Sequence, residues 1–155
     1  KKEECATWQE NSINRIKELK PEFVIISTFS HYNLYDKNSQ KENYYVSGQK
    51  DLFNKLSNYS QNLIYLSDTP KPDKDIPNCL SNNSLSSCNE IKRSSNKVYE
   101  GFFKIDPYPW FCKNGCDAIN NDYVVYRDAS HISIAAAVAA TDNLRDSLVK
   151  AGLLN

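Results

Sequence analysis

Apolar positions along residues 8–19 (Trp8, Ile13, Ile16 and Leu19) fall on one face of a helix, and Pro21 stops it. The next segment, Phe23-Val24-Ile25-Ile26, is an unbroken apolar run of the kind buried on both faces of a parallel sheet. Residues 29–44 turn polar and tyrosine-rich and read as a loop. Helical spacing returns over 47–59 at Leu52, Phe53, Leu56 and Tyr59, and Leu63-Ile64-Tyr65-Leu66 makes a second buried strand. Strand, helix and strand in that order predict parallel pairing through a right-handed crossover.

Residues 68–97 break the pattern with Pro70, Pro72 and Pro77 and a Ser/Asn-rich patch, an excursion too long for a plain connection in a compact domain. Residues 98–120 are mixed, with turns marked by Asp106-Pro107-Tyr108-Pro109. The run 123–126 is a third strand candidate, and 134–148 is a closing helix that ends near Gly152. The order αβαβ…βα predicts a three-layer α/β/α sandwich on a mostly parallel, flavodoxin-like sheet, and 155 residues suit one domain over 1–155. Ligands of such sheets sit beyond the carboxyl ends of the strands. That rule directs attention to Ser27-Thr28-Phe29-Ser30-His31, to Ser67-Asp68-Thr69 and to Arg127-Asp128-Ala129-Ser130-His131, which should share one rim.

Composition narrows the partners. Lys plus Arg and Asp plus Glu balance at 19 each, so no basic face is forced and nucleic acid is not indicated. No apolar run is long enough to span a membrane. The chain contains no Met and opens on Lys1, which reads as a processed product, a cut fragment or a piece of a longer polypeptide. Its five cysteines include two locally spaced pairs, Cys79 with Cys88 and Cys112 with Cys116. Read as disulfides, they imply an oxidising compartment. The alternative, four thiols on a structural zinc, fits poorly, because these spacers match no common finger. Cys5 is left over, unpaired or paired with a cysteine upstream.

The junction "YVVYRDASHIS" joins a β-branched run to a helix-favouring one through an Asp and a His three residues apart. A histidine acting as general base needs one ring nitrogen toward the nucleophile and the other donating to a fixed carboxylate. Asp128 can supply that carboxylate to His131 from within the same turn. On the alternative reading, Asp128 or Ser130 caps the last helix while His131 packs against it. Ser27, Ser30, Ser67 and Ser133 lie near the expected rim, where serines are common enough to fall by chance. Phe29, Tyr32, Tyr35, Tyr44 and Tyr45 offer faces that could stack on sugars or pack a loop.

Several segments resemble one family in order along the chain: "CATWQENSINRIKELKPEFVIIS", "LIYLSDTPKPDKDIPNCLSNN", "PWFCKNGC" and "VVYRDASHIS". They are similar to the SGNH domain fused to acyltransferase family 3 membrane proteins, which O-acylate bacterial surface glycans. The resemblance accounts for both cysteine pairs and implies that His131 is the catalytic base and Asp128 its orienting partner. It implies an acyl donor and a glycan acceptor as partners, a membrane acyltransferase domain in the same polypeptide, and a periplasmic or outer-face location. No metal or organic cofactor is implied. Thr28 and Ser30, near the family's third block, become candidates for substrate or oxyanion contacts. The family's nucleophile lies in a Gly-Asp-Ser block on the first strand, and no Gly-Asp-Ser occurs here; the first glycine is Gly48. The chain therefore reads as the domain without its first strand, and a gap in the sheet is expected; a secreted carbohydrate esterase, or a catalytically inert glycan- or protein-binding domain of the same fold, is the alternative.

Overall fold

The computed structural model describes residues 2–28, 41–89, 91–92, 97–112 and 115–154. Helix α1 (Lys2–Leu19) has Glu3 and Glu4 in its first turn and Lys17 in its last, both favourable to the helix dipole. Ile13 and Ile16 pack inward, whereas Trp8 and Leu19, expected on the same face, are exposed. Strand β1 (Phe23–Ser27) pairs in parallel with β2 (Asn62–Leu66), Phe23 opposite Asn62 and Ser27 opposite Leu66. Helix α2 (Lys41–Leu56) makes the crossover. It begins six residues before the predicted helix. Tyr45 is part of it, because a tyrosine with one inward face serves a helix as well as a loop.

The excursion after β2 is structured in short pieces: β3 (Lys71–Pro72), α3 (Ile76–Asn82), α4 (Leu85–Cys88) and β4 (Ile91–Lys92), with β3 and β4 antiparallel. Asp75 caps α3, its Oδ1 accepting from the Asn78 N–H at 2.9 Å. Then follow β5 (Phe103–Ile105), α5 (Tyr108–Phe111), β6 (Ile119–Asn120), β7 (Tyr123–Val124), α6 (Ile134–Ala139) and α7 (Thr141–Lys150). The main sheet has the order β1-β2-β5. Its third strand is thus β5, not the 123–126 run. Residues 123–124 pair back on β6 as a hairpin whose turn places Asn121 at φ +48°, a left-handed conformation that Asn tolerates.

Two units divide the chain, one of residues 1–66 with 96–104 and one of 67–95 with 105–155. The core of the first is built on Leu56, Leu63, Tyr65 and Phe102. Phe53, Tyr99 and Phe102 meet edge to face, and a Cβ on Gly101 would lie 2.6 Å from the Tyr99 ring, so that contact requires glycine. Gln49 on α2 accepts the Tyr99 N–H at 2.7 Å and ties the helix to this segment. The core of the second unit gathers Ile76, Cys79, Cys88, Ala118, Val125, Tyr126 and Ala136. Cys79 and Cys88 are joined there with Cα atoms 5.9 Å apart, and Cys112 and Cys116 with Cα atoms 4.2 Å apart. Cys5 is exposed and unpaired.

Candidate active site

The loop of residues 127–131 leaves β7 and enters α6, and its two stems are laced together. The Arg127 N–H donates to the His131 carbonyl at 3.0 Å, Tyr126 bridges Ile132, and the Ser133 N–H donates to the Val125 carbonyl at 2.8 Å. Val125 in turn donates to Ala118 at 2.9 Å, which anchors the incoming stem in the hairpin. Helix α6 is capped by Ser133, whose Oγ accepts the Ala136 N–H at 3.1 Å. Because Ser133 holds the cap, neither Asp128 nor Ser130 is needed there.

Asp128 instead closes the loop. Its Oδ1 accepts the backbone N–H groups of Ser130 at 2.7 Å and His131 at 2.8 Å, and the Ser130 hydroxyl at 3.2 Å. Its Oδ2 lies 2.8 Å from His131 Nδ1 and 3.5 Å from Arg127 Nε. The Ser130 N–H, then the His131 N–H, hold the Asp128 carboxyl well below the usual carboxylate range; loss of solvent opposes this, and the imidazole adds to the lowering. A charged acceptor at Nδ1 favours the tautomer with the proton on that nitrogen. The lone pair of Nε2 is then available, and the side chain is 62% exposed. Among the described residues Nε2 has no hydrogen-bond partner. The arrangement is a base oriented by a carboxylate, able to take a proton from a hydroxyl that reaches Nε2.

Tyr126, just before the loop, is buried with no hydrogen-bond partner for its hydroxyl among the described residues, and burial, with Tyr108 adding to it, pushes its phenol well above the usual range. The other sequence candidates are placed differently. Thr28 follows β1 and its hydroxyl joins those of Tyr45 and Tyr65 in a closed group, with Tyr65 2.6 Å from each of the other two by the Tyr65 oxygen. Ser30 and His31, with Phe29, Tyr32 and Tyr35, lie outside the described residues. Ser27 is exposed at the end of β1. The Ser67 hydroxyl is buried and has no partner among the described residues. The Ser133 hydroxyl donates to the Val124 carbonyl at 2.7 Å, so it is engaged on both sides. The loop of Asp128 and His131 follows a hairpin strand, not a strand of the main sheet. Sequence reasoning missed the Ser133 cap, although Ser before a helix-favouring run was legible, and it missed the hydroxyl group of Tyr45 and Tyr65. Among the described residues no group of three His, Cys, Asp or Glu side chains could hold a metal ion, and no helix is long and apolar enough to cross a membrane.

The α/β fold thus carries, on a loop between a strand and a helix, an imidazole held by a carboxylate, two of the three groups of a Ser-His-Asp arrangement. The chain belongs to the SGNH domain family, in the form fused to AT3 domains, whose model matches residues 1–146. In fold it is similar to the periplasmic domain of the lipopolysaccharide acetyltransferase of Salmonella ser. Paratyphi A, with a TM-score of 0.70 at 17% sequence identity. The likeness covers 92% of this chain and 62% of that one, so the chain spans less than two thirds of the length of that domain. No curated protein matches the chain in sequence.

Proposed function

We propose that the chain is part of an extracytoplasmic O-acyltransferase, an acetyltransferase acting on a bacterial surface or cell-wall glycan through a Ser-His-Asp mechanism. The observation that carries this reading is the 2.8 Å contact between Asp128 Oδ2 and His131 Nδ1, which leaves Nε2 free for a hydroxyl. A serine hydroxyl gives its proton to Nε2 as its oxygen attacks the acyl carbonyl, and the donor's leaving group departs with that proton. A sugar hydroxyl then gives its proton to Nε2, attacks the acyl-serine, and the proton returns to the serine oxygen. Asp128 stabilises the imidazolium in both steps. The serine is not assigned among these residues, since no Gly-Asp-Ser occurs in them and Ser130 and Ser133 are held in other contacts. Membership of a family fused to AT3 domains supports a membrane acyltransferase domain in the same polypeptide. The two disulfides support a location outside the cytoplasm.

The test is ester turnover by the full-length protein with 4-nitrophenyl acetate. Replacing His131 with Ala should lower kcat by roughly 10²–10⁴-fold, the usual worth of a positioned base. Unchanged turnover in that variant would remove His131 from the mechanism.

A further inference from the structure

We infer that Ser133 is the positioning residue of the site, acting through the stems of the loop and touching no substrate. This inference rests on the catalytic reading of His131 given above. Going outward from the loop tip, the stems are closed by the Arg127 N–H to the His131 carbonyl, by the Tyr126–Ile132 bridge and by the Ser133 N–H to the Val125 carbonyl. Beyond these backbone bonds the Ser133 hydroxyl adds a side-chain link, donating to the Val124 carbonyl at 2.7 Å. The same oxygen accepts the Ala136 N–H at 3.1 Å. One side chain therefore joins the last residue of the incoming strand to the first turn of the outgoing helix.

The consequence falls on His131, two residues before Ser133. The imidazole and the carboxylate that holds it both lie in the short loop, with both side chains partly in solvent. Asp128 holds the backbone N–H groups of Ser130 and His131 as well as the ring, and the register of the stems sets how His131 enters that turn. Ser133 fixes that register at the point where strand becomes helix. A misplacement of an ångström or less in a catalytic group can lower a rate by up to about 100-fold.

The test uses imidazole nitrogen shifts, recorded where His131 is neutral. The chain has 2 His residues, so His31→Gln leaves one signal to assign. Wild type should show the proton on Nδ1. Ser133→Ala should move the ring toward the Nε2–H form and lower kcat roughly 10- to 100-fold, with KM changed less than about 2-fold. Ser133→Thr, which keeps the hydroxyl, should restore both. Should the alanine variant unfold, Ser133→Gly keeps a residue tolerated at the cap and carries the same measurement. Retention of the Nδ1–H form in Ser133→Ala, while Asp128→Ala loses it, overturns the role of Ser133. Loss of that form in Ser133→Ala together with full turnover in His131→Ala supports the positioning role and overturns the catalytic reading, so the two failures are distinct.

Discussion

Asp128 is the residue on which the local order of the loop depends, since its carboxylate gathers donors from Arg127, Ser130 and His131. The Ser130 and His131 N–H groups, with the imidazole, favour the charged form and depress its titration below the ordinary 3.8. A carboxyl depressed in the folded state adds stability above its unfolded pKa, and that stability fades as the pH falls from 3.8 toward the folded value. Asp128 should therefore be among the last aspartates to protonate in an acid titration followed by carboxyl carbon shifts. Titration near 3.8 would show that the N–H donors do not hold it. The pairing of Asp128 with His131 was legible in the sequence because both partners lie in one turn. Local spacing limits how far apart they can be. Thr28 was different: its hydroxyl partners, Tyr45 and Tyr65, come from distant positions, and no local pattern announces them.

Among elements, the short ones diverged from the reading. Strand β5 has three residues, too few for a period, and lies between Gly101 and Pro107. The run 123–126 has strand composition, but the Asn121 turn folds it back on β6. The closing helix breaks at Ala140, which is the C-cap of α6 and the N-cap of α7. In α6 the small Ala136 is fully buried while Ile134 and Val138 are 81% and 67% exposed, so the larger apolar residues mark the outer face. The excursion over 68–97 is held by its cysteines: Cys79 lies in α3, Cys88 in α4, and both are in the core. Replacing both with Ser should cost roughly 2–3 kcal/mol, the loop-entropy expectation for a link of this span, read as a lower denaturant midpoint. A midpoint equal to wild type would mean that packing alone holds α3 against α4.

At the scale of the molecule, the α/β class followed from two buried apolar runs separated by a helical period, because that order admits few topologies. The division into two units with separate cores was not legible, since 155 residues fit one core equally well by length. Membership in the SGNH family places the loop of Asp128 and His131 within a domain type fused to AT3 domains. In the proposed function His131, held by Asp128, drives acyl transfer to a glycan. The measurement that tests it most directly is the O-acetyl content of the surface glycan in cells carrying the full-length protein as wild type or with His131→Ala at equal protein level. The account predicts that acetylation is lost with the histidine. Acetylation at the wild-type level in the His131→Ala cells would contradict it.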